Sequence, residues 1–459
     1  MWQTVAARMG TVALLALQAV VVQAKPATPH GVQVPVEQQK SLRLSDLRQD
    51  RPEPPRPVPK SKTWNVVWII MESTGTRYLS DTAPKVPMPF FDKLASEGWL
   101  LARHHSTTNS SARAIFSQLS GLYPMPTLLM WVDRGDVAVP SLPALLGPGW
   151  NTFLYTPGRL NYYFPKGFLQ AGGLDCKGYT ELPLGPKDTI DPLARREEAV
   201  VDAFVKRVHS AHEPFLGVYY SYVAHWPYSD HGPQYRHYST STPQGRYHNN
   251  LVTLDAQIQR IFEQVKADGR LDRTIFVLAG DHGEAFGQHQ GNWSHPKFSY
   301  EENLQTPAVL WQPALFAPRV VSELTSHVDL LPTVLDALGV PYAWQQLQGE
   351  SLLRGPIQRN YLFTYGKEGT ATILAADGKK LQRAANGTCW VLDLAADPKE
   401  NKKLPCKPYA ALAQQLDAQV AHQKKHLAGY NAAQLLDLPY AGLRHPTLVQ
   451  HGGTAVKTK

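Results

Sequence analysis

The stretch from Gly280 to Glu302, GDHGEAFGQHQGNWSHPKFSYEE, gathers the side chains of this chain best suited to chemistry. An apolar run, TIFVLAG, opens onto Asp281 and His282, and His289, His295 and Lys297 follow in the same loop. A carboxylate beside an imidazole suits a divalent cation. The aspartate offers a hard anionic oxygen and the neutral histidine a borderline nitrogen, a mixture that fits Zn or Mn, with Mg and Ca as further candidates. Active sites of open α/β sheets collect at the carboxyl ends of strands, which is where this pair lies. The competing account is a turn whose Asp and His only cap the next helix.

Two more segments carry groups that could join this pair. The run NVVWIIM delivers Glu72 at its end. A carboxylate ending a buried strand costs free energy unless something cationic neutralises it. A metal shared with Asp281 and His282 would do so, and so would a salt bridge to Arg77 or another base. The second segment is HHSTTNSSARAIFSQLSGLYP, from His104 to Pro124; seven of the eight residues from Ser106 to Arg113 are polar, and five bear hydroxyls. A hydroxyl at the N-terminus of the helix that follows sits among free amides at the positive end of the macrodipole. On a metal it can ionise and attack phosphorus or sulfur. Ordinary N-capping is the bland alternative.

These residues need a scaffold, and the chain is long enough for one large core with a smaller appended unit: 459 residues, 43% hydrophobic and 18% charged. NVVWIIM and TIFVLAG are continuous apolar runs, as expected of strands buried on both faces. Further strand-like runs stand at 152–156, 215–223 and 307–311. Helical patterns fall at 89–98, 197–208, 251–265 and 328–338. Strands alternating with helices predict an α/β fold with a mostly parallel central sheet sandwiched by helices. After Gly349, the runs YLFTYG, ATILAA, KKLQRA and TCWVLDL predict a small antiparallel sheet, followed by a helix from Pro408 to about Lys424.

The first 24 residues read as a secretory signal peptide, with Arg8 and no acid, the apolar run TVALLALQAVVV, and a small-residue cleavage site at Val22-Gln23-Ala24. An uncleaved N-terminal anchor is the alternative. Residues 25–62 form a proline-rich linker, 63–345 the catalytic domain, 346–443 a C-terminal subdomain and 444–459 a tail. No later segment approaches the length of a membrane span, so the expected mature chain lacks one and is secreted or periplasmic. Losing Arg8 takes the formal charge from +8 to +7, a mildly basic balance compatible with anionic substrates. No nucleic-acid motif accompanies it. Of the three cysteines, Cys389 and Cys406 are the better pair for a disulfide in an oxidising compartment, leaving Cys176.

Taken together, these pieces resemble the sulfatase-like branch of the alkaline phosphatase superfamily over about Asn65 to Leu404. The resemblance rests on NVVWIIMES, PFFDKLASEG, the hydroxyl-rich turn ending SGLYP, HWPY, GDHGEAFGQH, YEENLQTPAVLW, SHVDLLPTVLDALGVP and LDLAADPKENKKL. It implies an alkaline phosphatase-like fold and one bound ion, held by Glu72, Asp281, His282 and the nucleophile. Counting back ten residues from Gly121 puts that nucleophile at Ser111, with Ser110, Thr108 and Thr107 as alternatives. His225 corresponds to a histidine that contacts the substrate anion. His289 would bind substrate or protonate the leaving group, and Arg113, His295 and Lys297 would touch the anion. A single glutamate at Glu72 is similar to the lipoteichoic acid synthase and phosphoethanolamine transferase branches. Formylglycine sulfatases carry C-x-P-x-R or S-x-P-x-R, whereas Ser111-Ala112-Arg113-Ala114-Ile115 lacks both the proline and the placed arginine. An unmodified serine is therefore expected. The resemblance implies a hydrolase or transferase of phosphate esters whose anionic substrate is an envelope lipid headgroup or a polysaccharide. The rival readings are a sulfuric ester hydrolase with an unmodified serine and a non-catalytic protein that binds anions or metal.

Overall fold

The computed structural model describes residues 63–429, apart from 80–84, 125, 127–138, 161–168 and 170–172. The expected signal peptide, linker and tail lie outside the described residues. Eight strands build the central sheet: β1 Asn65–Met71, β2 Trp99–His105, β3 Asn151–Tyr155, β4 Asp175–Lys177, β5 Phe215–Tyr220, β6 Thr274–Gly280, β7 Ala308–Trp311 and β8 Arg319–Ser326. Their order across the sheet is β8-β2-β7-β6-β1-β5-β3-β4, and every pairing is parallel except the two made by β7. β7 runs the other way because the chain enters it from the loops at the carboxyl ends of the strands. No crossover helix carries the chain back to the opposite edge first.

Both faces of the sheet are covered, which explains the continuous apolar runs. Val66, Trp68 and Ile70 of β1 face one core, shared with helices α2 (Ser111–Ser120) and α5 (His327–Leu338). Val67, Ile69 and Met71 face the other, against α1 (Pro89–Glu97), α3 (Glu197–Ser210) and α4 (Pro243–Ala267). No helix among the described residues is long and apolar enough to cross a membrane.

The C-terminal part forms a five-stranded antiparallel sheet of β9 Tyr361–Tyr365, β10 Ala371–Ala375, β11 Lys379–Arg383, β12 Cys389–Asp393 and β13 Leu404–Pro405. Helix α6 (Ala410–Gly429) packs on it through Leu412, Leu416 and Val420. Cys389 and Cys406 are joined with a Cα separation of 5.9 Å, and Cys176 is buried as a free thiol. The bridge spans 17 residues, so it restrains the unfolded chain by about 3 kcal/mol. Cys406→Ala is expected to lower the unfolding free energy of this unit by about that amount. Denaturant melts with and without reductant would check it: only the wild type should respond to reductant.

Candidate active site and metal centre

The parallel pairing of β1 with β6 aligns Met71 with Gly280, so the two strands release Glu72 and Asp281 side by side at the same edge of the sheet. Glu72, Asp281 and His282 are all fully buried. Ser73 adopts a left-handed backbone (φ 52°), and its N–H donates to Asp281 Oδ1 at 2.7 Å. The N–H of His282 donates to the same oxygen at 2.7 Å, which leaves Oδ2 turned to the neighbouring ligands. Two glycines permit this close packing. A Cβ on Gly280 would meet the Thr74 carbonyl oxygen at 2.2 Å, and one on Gly283 the Glu302 carbonyl oxygen at 2.1 Å.

His282 Nδ1 lies 2.9 Å from the Gly283 carbonyl, which fixes the ring proton there. The lone pair on Nε2 then faces Glu72 Oε1 at 3.7 Å, Asp281 Oδ2 at 3.5 Å and Ser111 Oγ at 3.0 Å. Burial, only partly opposed by Asp281, holds this imidazole down to about 4, so it is neutral. Burial and the adjacent Asp281 carboxylate push Glu72 well above the usual carboxylate range. Its dominant charged neighbours are the carboxylates of Asp281 and Glu284, while Arg77 is exposed. The Tyr220 hydroxyl bridges the pair, donating to Glu72 Oε2 and lying 3.3 Å from Asp281 Oδ2.

This donor set fits the expected cation. Ligand atoms of Glu72, Asp281 and His282 all lie within 4.8 Å of one another. Two crowded, buried carboxylates and one neutral imidazole are an unfavourable grouping by themselves and a favourable one around a divalent ion. The mixed oxygen and nitrogen set suits Zn or Mn.

Ser111 is the first residue of α2, half-buried, with Ser110 as the N-cap. Thr107 donates to Ser117 Oγ at 2.8 Å, and the Thr108 hydroxyl is buried with no hydrogen-bond partner. Ser106 Oγ donates to the Asp281 carbonyl at 2.6 Å, tying the hydroxyl-rich turn to β6. His327, at the start of α5, adds a contact from Nε2 to the Gly280 carbonyl at 2.9 Å.

His295 stacks on His282 with ring centroids 3.9 Å apart, and its Nδ1 is 2.9 Å from Glu284 Oε2. His282, Glu284 and His295 thus form a second cluster of ligand-type groups sharing one imidazole. His225 is stacked on Tyr222 with ring centroids 4.2 Å apart. Burial lowers the basicity of both histidines.

Two of the expected site residues, His289 and Arg113, make contacts away from the trio. His289 is engaged at both ring nitrogens, with Glu302 Oε1 at 2.6 Å and the Lys399 carbonyl at 3.0 Å, and stacks on Tyr300. Its ring links the loop to the C-terminal unit instead of facing the Glu72–Asp281–His282 group. Arg113 is buried, and its Nη1 donates to the Gly366 carbonyl at 3.2 Å, docking α2 onto that unit instead of reaching outward to an anion. Lys297 is exposed, with its ammonium 5.2 Å from the Phe298 ring. The backbone on either side of it is nevertheless tied down: Asn109 Nδ2 donates to the Pro296 carbonyl at 3.1 Å and the Phe298 carbonyl at 2.9 Å.

Asn109 also accepts from the Lys367 N–H at 2.7 Å, so one amide clamps the nucleophile turn, the histidine loop and the C-terminal unit. Neither Asn109 nor Tyr220 stood out in the sequence. Tyr220 had one usable signal, its place at the carboxyl end of a buried strand. Asn109 had none, because its partners are 187 to 258 residues away.

With this geometry in view, the profile of the family described as Sulfatase matches residues 64–340, more than half of the chain. The chain belongs to the sulfatase family. Among relatives, this sulfatase-family chain is 36% identical over 110 residues to an extracellular sulfatase SULF-1 homolog of Drosophila melanogaster, covering 24% of the chain and 10% of that relative. It is 21% identical over 330 residues to lipoteichoic acid synthase 2 of Bacillus subtilis, covering 64% of the chain and 48% of that relative. The matched stretches therefore span between a tenth and about half of these relatives' own length. A solved alkaline phosphatase superfamily protein from Vibrio parahaemolyticus superposes with a TM-score of 0.66 at 18% identity, covering 82% of this chain and 90% of that one. The fold is thus alkaline phosphatase-like, as the motif order implied.

Proposed function

We propose that this chain is an exported, metal-dependent hydrolase or transferase of phosphate esters that works through a covalent intermediate on Ser111. The observation that carries the reading is the 3.0 Å approach of Ser111 Oγ to His282 Nε2, at a helix N-terminus and beside two buried carboxylates. Glu72, Asp281, His282 and Ser111 would hold the ion, which supplies positive charge that acidifies the hydroxyl and stabilises the transferring group. Ser111 Oγ attacks phosphorus, an Oγ–P bond forms, and the bond to the leaving alcohol breaks. The proton given up by the serine ends on that alcohol. Water or an acceptor alcohol then breaks the Oγ–P bond and restores the serine. His225 and His295, whose basicity burial lowers, would contact the remaining oxygens of the tetrahedral group. The substrate is an anionic ester on an envelope lipid headgroup or a polysaccharide.

A sulfate ester is the second reading. It is supported by the family itself and by the relative described as an extracellular sulfatase. Phosphate and sulfate are both tetrahedral oxyanions, and one pocket accepts either shape. Purified mature protein, stripped of metal and then reloaded, decides between them. Turnover of nitrophenyl phosphate and bis-nitrophenyl phosphate is expected to fall at least about a hundredfold on stripping and to return with Mn or Zn. Activity that survives complete stripping would overturn the metal requirement. Cleavage of nitrophenyl sulfate alone would favour the second reading.

A further inference from the structure

Glu197 takes no part in the chemistry described above, yet its side chain is buried, at 1% exposure. It is the first residue of α3. An acid in a first turn gains from the positive end of the helix dipole, but that gain needs no burial. Burial instead pushes its carboxyl up to about 8, and what opposes the rise is hydrogen bonding from the Tyr219 hydroxyl and the backbone of Tyr222 and Val223. No cation figures among these chief influences. A carboxylate kept in such a place costs free energy, so its contacts are worth following.

They lead to the segment that serves the site. The Tyr219 hydroxyl donates to Glu197 Oε1 at 2.7 Å, and the Tyr222 N–H donates to Oε2 at 3.2 Å. Between these two grips lie Tyr220, whose hydroxyl bridges Glu72 and Asp281, and Ser221, whose Oγ accepts from the Glu72 N–H at 3.2 Å. Beyond them, Tyr222 stacks on His225 with the two planes 20° from parallel, and its hydroxyl lies 3.4 Å from His225 Nε2. The His225 N–H donates to the Tyr222 carbonyl at 3.0 Å, closing a tight turn between the two rings. Tyr222 is thus held at its amide by Glu197, and it holds His225 through its carbonyl and its ring.

We propose that Glu197 is a positioning residue for His225, acting through the backbone and ring of Tyr222. This rests on the reading of His225 as a contact of the substrate anion, and it names what keeps that imidazole in place.

With metal-loaded protein, Glu197→Ala is expected to lower kcat/KM for nitrophenyl phosphate about tenfold, chiefly through KM. Glu197→Gln should recover most of the loss, because a carboxamide oxygen still accepts the Tyr222 N–H. The deciding comparison is a double-mutant cycle. In a His225→Ala background, Glu197→Ala should cost less than about twofold, since the ring it positions is gone. An equal loss in both backgrounds would mark a general structural part and overturn the proposal. Melting curves restrict the comparison to folded variants. If the alanine variant does not fold, Glu197→Asp, which withdraws the carboxylate by one methylene, carries the same expectation.

The His225 imidazole gives a readout independent of turnover. In histidine-labelled protein its NMR signal is assigned by its loss in His225→Ala. The ring-current shift from Tyr222 should be present in the wild type, vanish in Tyr222→Leu and weaken in Glu197→Ala. An unchanged His225 signal in folded Glu197→Ala overturns the positioning role. If no ester is turned over but the signal moves as expected, the ester-cleaving reading falls and the positioning role stands.

Discussion

Ser111→Ala is expected to reduce ester turnover at least about a thousandfold while leaving the fold intact. The hydroxyl is the one oxygen of the turn that lies beside the His282 lone pair, and water in its place lacks both its position and its tie to α2. Stability should change little. Ser111 is the first helical residue and not the cap, and alanine is the better helix former there. Ser110→Ala is the informative companion, since Ser110 occupies the N-cap without a side-chain capping bond. A collapse of activity in Ser110→Ala with full activity in Ser111→Ala would move the nucleophile by one residue. Stopped-assay turnover with metal-loaded protein, together with thermal melts, separates loss of chemistry from loss of fold.

Lys380→Met is expected to destabilise the fold by about 3–5 kcal/mol. Lys380 is buried at 1% exposure, and its ammonium lies 2.7 Å from Glu301 Oε1 and 2.8 Å from Glu400 Oε1. Glu301 also meets His105 Nε2 at 2.7 Å, so the cluster joins β2 and the loop after β6 to the C-terminal sheet. Removing the ammonium strands the buried carboxylate of Glu400 and the partly buried one of Glu301, and their desolvation is then uncompensated. The effect should depend on pH in a definite direction. Burial pushes Glu301 up, but Lys380 and His105 outweigh it and hold the carboxyl well below its ordinary value of 4.5. The unfolded state then binds the proton first, so wild-type stability from this group is fully present above about pH 4.5 and declines as acid titrates it. In Lys380→Met that part of the acid slope should disappear. Urea melts between about pH 3 and pH 7 would measure it, and parallel curves for the two proteins would contradict the account.

The same cluster explains why His289 takes a structural part. Its ring lies against Glu302 and the backbone of Lys399, next to Glu400. The spacing of His289 after the DHGE segment is a local property and was legible. Which wall of the loop it faces depends on residues about a hundred positions downstream. The same holds for Arg113, which donates to the Gly366 carbonyl 253 residues away. Three strands of the main sheet, β2, β4 and β8, also escaped the pattern reading. β2 carries an exposed arginine at Arg103, and β8 alternates irregularly, with a register shift between Val321 and Leu324. Edge and near-edge strands need only one well-covered face, so their sequences carry a weaker apolar signal than β1 or β6.

The sequence by itself determined the parts of this protein that depend on neighbours in the chain. Continuous apolar runs made β1 and β6 strands buried on both faces, and the residues closing those runs made Glu72, Asp281 and His282 a candidate site. A short covalent spacing likewise singled out Cys389 and Cys406, which are bonded. Tertiary structure alone decided which polar side chains converge. Tyr220 reaches Glu72 across 148 residues, Ser111 reaches His282 across 171, and Asn109 clamps three distant segments together. The physical reason is that hydrophobic burial is non-directional and readable from pattern, whereas hydrogen bonds and ligand geometry act over about 3 Å and exist only after distant strands have been brought into register.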